Sequence, residues 1–304
     1  MTGQPTIAFI GLGNMGRPMV SRLVAAGAIV RAFDVVPAAL DAAAKAGVPT
    51  AATMAEALRG ADVLITMLPA GQHVVGVCVD AYPLLPAGAL HIDCSSIDIA
   101  SARAVHAYAA EHGFQCVDAP VSGGTGGAEA GTLTFMLGGE EAAIERAGPI
   151  LEPMAGRIVH CGEPGTGQAA KICNNMILGI SMIGVCEAFT LAERLGLSHQ
   201  ALFDVASKSS GQCWSLTSYC PVPGPVPTSP ANNDYRPGFA AALMAKDLGL
   251  SQAAAAGADV ETPMGALARA LYDRFVEEGG GGRDFSGMIE FLRGMTGADR
   301  ETAR

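Results

Sequence analysis

A glycine-rich turn between an apolar strand and a helix constrains the fold of this chain more than any other feature. Thr6–Ile10 is a short apolar run typical of a buried strand, and the segment Gly11–Gly16 that follows has glycine at its first, third and sixth positions. The first glycine allows a tight turn, the second lets a ligand approach the backbone, and the third lets the next helix pack closely. A second apolar run, Ile29–Phe33, ends in Asp34. The pattern predicts a strand–helix–strand unit that opens an α/β domain.

The same turn predicts a site for the pyrophosphate of a dinucleotide, because the N–H groups at a helix start attract phosphate oxygens. The cofactor contacts are assigned to all six residues of the turn: Gly11, Leu12, Gly13, Asn14, Met15 and Gly16. Asp34 is placed to accept the hydroxyls of an adenosine ribose, and a 2′-phosphate beside this carboxylate would be repelled. We therefore expect NAD rather than NADP. An ordinary turn is the alternative, since this glycine spacing also arises by chance in a glycine-rich chain.

Apolar strand-like runs alternate with alanine-rich helical segments through the first half of the chain. Strands are predicted at Thr6–Ile10, Ile29–Phe33, Val63–Met67, Leu90–Asp93, Gln115–Asp118, Thr132–Leu137 and Ile158–His160. Helices are predicted at Met19–Ala26, Pro37–Ala46 and Met54–Leu58. Continuous apolar strands separated by helices indicate a parallel sheet covered on both faces. The prediction for residues 1–165 is an α/β Rossmann-type doubly wound sheet that forms an NAD-binding domain.

From about Gly165 onward the pattern is helical. Helices are predicted at Gly167–Leu195, His199–Ser207, Gly238–Ala256, Pro263–Glu278 and Phe285–Arg293. We predict an all-α C-terminal domain over residues 166–304, linked to the sheet by the long first helix, with a substrate pocket between the domains. The long helix is mostly apolar, and its burial against a partner subunit would give a homodimer or homotetramer. The proline-rich segment Pro221–Pro230 is interpreted as a stiff loop, with an SH3-type ligand as the alternative.

Charge and composition exclude several classes of protein. The chain has 19 Lys and Arg against 29 Asp and Glu, a net charge of −10, and no basic run, so neither nucleic acid nor an anionic membrane surface is an expected partner. The apolar stretch Ile172–Cys186 is shorter than the roughly 20 residues that span a bilayer. The eight cysteines include no C-x-x-C pair, and the N-terminus has no basic segment. Both features predict that the protein is located in a reducing cytoplasm of bacterial type. The six histidines lack ligand spacing, so no metal is expected.

Two polar segments are candidates for substrate chemistry. Ser122, Gly123 and Gly124 follow a predicted strand and offer a hydroxyl and unobstructed N–H groups to a small carboxylate. Lys171 and Asn175 are four residues apart and share a helix face. Desolvation beside a nearly uncharged helix would lower the pKa of the lysine and make it a usable proton acceptor. A plain turn and a surface lysine at a domain boundary are the alternatives.

Five segments in this order resemble the β-hydroxyacid dehydrogenase family over almost the whole chain. They are Gly11–Gly16, Asp93–Asp98, Asp118–Leu133, Gly167–Asn175 and Lys246–Leu248. Within that family the likeness is to the 3-hydroxyisobutyrate dehydrogenase branch. This narrower likeness rests on Met67–Val74, Ser209–Trp214, and the proline-rich loop that runs into Tyr235, Phe239 and Lys246–Leu250.

The resemblance implies a role for each matching residue. Lys171 matches the catalytic lysine and Asn175 the asparagine that orients the substrate. The matching substrate-binding residues are Ser122, Gly123 and Gly124 at the carboxylate, with Trp214 and Phe239 as aromatic walls of the pocket. The matching cofactor contacts are Leu68, Pro69, His73 and Ser96, with Lys246 beside the nicotinamide end. His73 and Ser96 depart from the family, where asparagine and threonine are common at these positions.

The activity implied by the resemblance is the NAD-dependent oxidation of 3-hydroxyisobutyrate to methylmalonate semialdehyde, a step of valine catabolism. The reaction would be a hydride transfer with Lys171 as general acid and base. One alternative is a reductase of tartronate semialdehyde, glyoxylate or succinic semialdehyde. Another is a non-catalytic NAD-binding protein.

Overall fold

The chain divides into a unit built on a sheet and a unit built of helices. The structure is a computed structural model that describes residues 4–301, with side chains described for residues 4–295. The two compact units divide between Lys171 and Ile172. The sequence pattern places the division at residue 165, just before a long helix that begins at Thr166 and runs across the boundary between the units.

Eight strands form one sheet. Their bounds are β1 Thr6–Ile10, β2 Ile29–Phe33, β3 Val63–Thr66, β4 Leu90–Asp93, β5 Gln115–Asp118, β6 Val121–Ser122, β7 Leu133–Gly139 and β8 Ala155–Gly162. The strand order is β2-β1-β3-β4-β5-β7-β6, and β8 pairs with β7. The strands β1 to β5 are parallel, and their last residues are aligned or adjacent in register. The segments that follow these five strands therefore leave the sheet at one edge, which we call the carboxyl edge.

Helices cover both faces of the sheet, as the doubly wound prediction requires. Their bounds are α1 Gly16–Ala25, α2 Pro37–Lys45, α3 Met54–Leu58, α4 Gly71–Ala81, α5 Ile99–Glu111, α6 Gly124–Ala130 and α7 Glu141–Leu151. Alternate residues of β1 point to opposite faces, so that Ile7 and Phe9 pack in a core with α1 and α7. Ala8 and Ile10 pack in a second core with α3, α4 and α5. The predicted fold class is confirmed.

The direction of the last strands differs from the predicted parallel sheet. The chain reverses at Gly131, which adopts a left-handed φ of 70° after α6. As a result β7 runs antiparallel to β5 and β6, and β8 runs parallel to β7. Both faces of β7 are largely buried, and a strand covered on both faces has the same apolar sequence in either direction. Hydropathy therefore carried no information about the direction of this strand.

The second half of the chain is helical. The helix bounds are α8 Thr166–Arg194, α9 His199–Ala206, α10 Trp214–Thr217, α11 Ala241–Gly257, α12 Pro263–Glu277 and α13 Met288–Glu301. Within the described residues after Ile172 the structure contains no strand. The proline-rich loop packs into the hydrophobic core of this unit, where Val222 and Val226 are buried. The hydroxyl of Tyr235 donates to the carbonyl of Pro221 at 2.8 Å, as expected of a stiff loop held against the body.

Helix α8 is longer than the apolar stretch on which the membrane argument was based. It has 29 residues, and its most apolar 18-residue window has a mean hydropathy of 1.6, so by length and composition alone it could cross a membrane. A core helix of a soluble protein passes the same test. Met182, Cys186 and Phe189 of α8 are fully buried in the core of the helical unit. The remaining face of α8 includes apolar residues that are exposed in the single chain, among them Ile177 and Leu191.

Candidate cofactor and active site

The glycine turn after β1 has two glycines that the fold itself demands and one that it does not. Gly11 has a φ of 105°, and a Cβ there would overlap the carbonyl oxygen of Met67. A Cβ at Gly16 would overlap the carbonyl oxygen of Gly11. Gly13 is exposed, and a Cβ there would meet no atom within 4 Å. The open space at Gly13 fits the close approach of a pyrophosphate, which is the role that the spacing assigns to the second glycine.

The other residues of the turn do not all face solvent. Asn14 is exposed beside Gly13, whereas Leu12 is buried in the core with α1. Met15 is partly buried and packs against the same core. Of the six residues assigned to the cofactor, Gly13 and Asn14 therefore form the exposed surface of the turn.

Asp34 lies directly after β2, and its carboxylate is hydrogen-bonded to the backbone of the glycine turn. Its Oδ2 accepts a hydrogen bond from the N–H of Leu12 at 2.6 Å, and its Oδ1 accepts one from the N–H of Val36 at 2.8 Å. Each carboxylate oxygen accepts more than one hydrogen bond, so both retain capacity for ribose hydroxyls. Val35, Val36 and Pro37, which follow, carry no positive charge. The turn and the acid together fit a dinucleotide without a 2′-phosphate.

The segments after β3 and β4 are joined by a chain of hydrogen bonds. The N–H of Leu68 donates to Ser95 Oγ at 2.8 Å, and Ser95 Oγ donates to Asp93 Oδ1 at 2.6 Å. Thr66 Oγ1 donates to the same Asp93 oxygen at 2.7 Å. Ser96 is half-buried and follows Ser95 in the chain. The structure thus brings Leu68 and Ser96 to the carboxyl edge.

Pro69 and His73 belong to the connection between β3 and α4, and both are exposed. His73 lies in the first turn of α4. The connection begins at Met67, whose carbonyl oxygen lies against Gly11. The segment that carries these two predicted cofactor contacts therefore leaves the sheet beside the glycine turn.

A buried polar layer lies beneath this edge. His91 is fully buried, with Nε2 2.9 Å from Thr66 Oγ1 and Nδ1 2.9 Å from the hydroxyl of Tyr82. Burial lowers the pKa of His91 to about 3, so the ring is neutral at pH 7. Burial also raises the pKa of Asp93 to about 6, against the opposing effect of its hydrogen bonds from Ser95 and Thr66. Asp93 Oδ2 is buried and has no hydrogen-bond partner among the described residues.

The predicted carboxylate-binding turn follows β5. Ser122, the last residue of β6, is half-buried, and Gly123 beyond it is exposed. Gly123 has a φ of 136° and Gly124 a φ of 62°, both in the region that strongly favours glycine. Their backbone therefore adopts a shape that most other residues would strain, and helix α6 begins at Gly124.

Lys171 lies near the start of α8 and only 8% of its surface is exposed. The first turn of this helix is bonded to the sheet, because Asp118 at the end of β5 accepts hydrogen bonds from the N–H groups of Gly165 and Gln168. The side chain of Gln168 is bonded in turn to the backbone of Ser95 and Ile97. Lys171 is therefore held beside the carboxyl edge. Asp118 and Gln168 lie in the segments that carry the family resemblance, but the sequence alone assigned them no role.

Asn175 follows Lys171 by four residues on the continuous helix α8 and is 1% exposed. Its Nδ2 donates to Asp247 Oδ2 at 2.5 Å, and its Oδ1 accepts from Asn174 Nδ2 at 3.0 Å. Asn174 itself is exposed, so the two neighbouring asparagines occupy different environments. Asp247 is buried and immediately follows the half-buried Lys246 on α11.

The two predicted aromatic wall residues belong to one aromatic cluster in the helical unit. Trp214 stacks on Tyr219 with ring centroids 4.8 Å apart, and Tyr219 stacks on Phe285 at 5.3 Å. Phe239 meets Phe285 edge-on at 5.7 Å. Sequence reasoning missed Tyr219 and Phe285, and no spacing rule connects them to Trp214.

A fully buried carboxylate organises this aromatic cluster. Asp284 accepts hydrogen bonds from the hydroxyl of Tyr219 at 2.9 Å and from the N–H groups of Gly238 and Phe239 at 3.0 and 3.1 Å. It also accepts from Ser286. Trp214 remains half exposed at 51%, so the cluster presents one aromatic ring to solvent.

The fold and the carboxyl edge define the class of protein. The strand order reverses at β1, which lies between β2 and β3, and open α/β sheets bind dinucleotides at such a switch point. The glycine turn follows β1 and Asp34 follows β2. A buried lysine is anchored at the same edge. This is the architecture of a nicotinamide-dinucleotide-dependent dehydrogenase.

Comparison with known proteins agrees with that class over both units. Residues 6–162 match the family model described as the NAD binding domain of 6-phosphogluconate dehydrogenase. Residues 165–292 match the model described as NAD-binding of NADP-dependent 3-hydroxyisobutyrate dehydrogenase. A probable 3-hydroxyisobutyrate dehydrogenase of Mycobacterium tuberculosis is 52% identical over 293 residues, which cover 96% of this chain and 99% of the relative.

Two further relatives bear on the substrate. An NAD-dependent L-serine dehydrogenase of Pseudomonas aeruginosa is 49% identical over 283 residues, covering 92% of this chain and 95% of the relative. A solved structure of Mycobacterium tuberculosis 3-hydroxyisobutyrate dehydrogenase with L-serine has a TM-score of 0.92 at 52% identity, covering 96% of this chain and all of that one. The chain belongs to the 3-hydroxyisobutyrate dehydrogenase family of β-hydroxyacid dehydrogenases. It is an oxidoreductase whose cofactor is NAD.

Proposed function

We propose that the protein oxidises 3-hydroxyisobutyrate to methylmalonate semialdehyde, a step of valine breakdown, with Lys171 as general acid and base. NAD, when bound, accepts the hydride from the alcohol carbon. The neutral amine of Lys171 takes the hydroxyl proton onto Nζ, and in the reverse direction the ammonium returns it to the carbonyl oxygen. The observation that carries this proposal is a buried lysine on a helix whose first turn is bonded to the ends of β4 and β5.

The other predicted residues would bind and orient the acid substrate. The turn Ser122–Gly124 would bind its carboxylate through the hydroxyl and backbone N–H groups. Asn175 has one N–H committed to Asp247, which leaves its second N–H to orient the substrate hydroxyl. Trp214 and Phe239 would contact the methyl-bearing carbon, and Lys246 would lie beside the nicotinamide.

We propose that NAD is preferred over NADP. The carboxylate of Asp34 would repel a 2′-phosphate, and the three residues after it bring no compensating cation. One matching family model is described as NADP-dependent, whereas the L-serine dehydrogenase relative is described as NAD-dependent. Equal or higher kcat/KM with NADP⁺ would overturn this preference.

L-Serine is the second candidate substrate, because one relative carries that activity in its name and one similar structure contains L-serine. The two acids differ at one position, where 3-hydroxyisobutyrate has a methyl group and L-serine an ammonium. The deciding measurement is kcat/KM for 3-hydroxyisobutyrate, L-serine, glycerate and 3-hydroxypropionate with both cofactors. The highest value with 3-hydroxyisobutyrate supports the proposal and the highest with L-serine replaces it.

The same assay separates the remaining alternatives. Reduction of tartronate semialdehyde, glyoxylate or succinic semialdehyde with a kcat/KM above that of every alcohol tested would identify a reductase. NAD binding without turnover of any of these compounds would identify a non-catalytic NAD-binding protein.

We propose that the chain forms a homodimer or homotetramer through α8. Apolar and small side chains are exposed along one stripe of this helix and just beyond its end: Cys173, Ile177, Gly184, Ala188, Leu191 and Leu195. Leu191 and Leu195 are 60% and 74% exposed in the single chain. Sedimentation at 30.8 kDa would contradict an oligomer. Leu191→Glu should dissociate it, whereas Val205→Glu on α9, an equally exposed apolar position, should not.

We propose that the sheet unit binds NAD and that the helical unit supplies substrate contacts and the oligomer interface. A cytoplasmic location is supported by the free thiols of all eight cysteines.

A further inference from the structure

Helix α8 is capped by a side chain from a distant strand. Asp118 is 1% exposed, and its Oδ1 accepts from the N–H of Gly165 at 2.8 Å while its Oδ2 accepts from the N–H of Gln168 at 2.9 Å. The first N–H groups of a helix have no partner within the helix, and a capping residue normally supplies one from the adjacent chain. Here the cap comes from about 50 residues away. The local hydroxyl, that of Thr166, donates instead to the carbonyl of Glu163.

The capping carboxylate has little room to move. A Cβ at Gly138 would lie 2.6 Å from Asp118 Oδ1, and a Cβ at Gly167 would lie 2.8 Å from Oδ2. His106 Nε2 on α5 lies 2.9 Å from Oδ1. Asp118 is therefore enclosed by β7, α5 and the first turn of α8, and any shift of this carboxylate would move the start of the helix.

Gln168 makes a second connection from the same turn of α8. It is fully buried, its Oε1 accepts from the N–H of Ile97 at 3.1 Å, and its Nε2 donates to the carbonyl of Ser95 at 2.7 Å. The amide therefore bridges the residues on either side of Ser96, a predicted cofactor contact. Lys171 follows Gln168 by three residues, about 4.5 Å along the helix axis.

We propose that Asp118 and Gln168 are positioning residues that hold Lys171 in place for proton transfer. The inference rests on the proposed role of Lys171. Asp118 fixes where α8 begins relative to β5, and Gln168 fixes the rotation of its first turn relative to Ser96. A helix is stiff over one turn, so a displacement of the first turn reaches the amine of Lys171.

The test compares Gln168→Met, Lys171→Ala and the double variant. Methionine keeps the volume of the glutamine and removes both hydrogen bonds. A misplacement of about 1 Å can cost on the order of 10²-fold in rate, so we expect kcat of Gln168→Met to fall roughly 10- to 100-fold, with the KM for NAD within about threefold of the wild type. In the Lys171→Ala background the same change should cause no further loss, because the group it positions is absent. Gln115→Met, at the opposite end of β5, is the matched control and should leave kcat unchanged.

Asp118→Asn gives an independent readout. Its amide would oppose one of the two N–H donors, and loss of the negative charge at the first turn of α8, one turn before Lys171, should move the acidic limb of the oxidation rate profile to lower pH. Gln168→Met with wild-type kcat beside an inactive Lys171→Ala would overturn the inference alone. So would a full multiplicative loss in the double variant. Wild-type activity of Lys171→Ala would overturn the proposed lysine mechanism together with it.

Discussion

The two units of the chain place their functional residues by different means. In the sheet unit the glycine turn, Asp34 and Ser96 each follow a strand, and parallel pairing of those strands is enough to bring them to one edge. In the helical unit Asn175 and the ring of Phe239 depend on buried carboxylates from distant segments, Asp247 and Asp284. Topology brings the first set together and hydrogen bonds such as those of Gln168 beside Ser96 then hold it, whereas the second set is brought together by the long-range polar contacts themselves.

The largest effect is expected at Lys171, which lies at the boundary between the two units. Lys171→Ala should lower kcat by about 10²–10⁴-fold, the usual contribution of a positioned general acid or base. The Kd for NAD should remain near the wild-type value, since the glycine turn and Asp34 are untouched. Lys208→Ala, at an exposed lysine after α9, is the control and should have no effect. Activity near that of the wild type would remove Lys171 from the mechanism.

Next in size is a contrast within the glycine turn. Gly13→Ala should leave the melting temperature unchanged, because its Cβ meets no protein atom. It should raise the Kd for NAD roughly 10- to 100-fold, as expected for an overpacked contact of about 1–3 kcal/mol. Gly16→Ala should lower the melting temperature, because its Cβ overlaps the backbone of Gly11. An NAD affinity unaffected by Gly13→Ala would mean that the pyrophosphate does not approach this residue.

A third change tests whether a buried carboxylate positions the substrate contact in the helical unit. Asp247→Asn replaces a charged acceptor of the Asn175 amide, and such hydrogen bonds contribute about 1.5–3 kcal/mol. We expect kcat/KM for the acid to fall on the order of tenfold, with the Kd for NAD unchanged. If NAD binding weakens in parallel with the acid, Asp247 would also support the proposed nicotinamide contact of the neighbouring Lys246 and would not act through Asn175 alone.

The smallest effect concerns the polar layer beneath the carboxyl edge. The pKa of Asp93 is raised from 3.8 to about 6, so its contribution to stability is present below pH 3.8 and is lost as the pH rises through 6. The pKa of His91 is lowered from 6.5 to about 3, so its contribution is present above pH 6.5 and is lost as the pH falls through 3. Between about pH 4 and 6 the Asp93 contribution therefore falls with rising pH while the His91 contribution rises.

Asp93→Asn removes one of the two opposed contributions. The melting temperature of the variant should therefore rise more steeply between pH 4 and 6 than that of the wild type, by a few degrees over the interval. Thermal unfolding at several pH values measures this difference. Parallel curves for the two proteins would show that Asp93 has the same pKa in the folded and unfolded chain.

Local sequence signals predicted the strands of the parallel sheet well. The bounds of β1, β2, β4 and β5 agree with the sequence pattern, and α8 differs by one residue at each end. Helices α4 to α7 were not predicted. The buried face of α5 is formed by Ala102, Val105 and Ala109, whose small side chains give little contrast with the exposed face. The two-residue strand β6 is too short for any periodic pattern.

The candidate site was predictable where its residues follow strands or share one helix face. The glycine turn, Asp34 and the pair Lys171 and Asn175 needed only local spacing. The contacts of Asp118 with α8 and of Asp247 with Asn175 join residues 47 to 72 positions apart, and no period in the sequence expresses such a pairing. Both carboxylates are buried, and the sequence does not show which of its acidic residues are buried.

The enclosure of Asp118 between Gly138 and Gly167 also has a consequence for how this sequence can vary. A Cβ at Gly138 would lie 2.6 Å from the carboxylate of Asp118, whereas a Cβ at Gly167 would overlap the backbone carbonyl oxygen of Met136 as well as lie 2.8 Å from that carboxylate. A smaller residue at position 118 would therefore make room for a side chain at Gly138 but not at Gly167. In a library of random variants Gly138 should change only together with position 118, Gly167 should not change, and the start of α8 should be among the slowest parts of the chain to diverge.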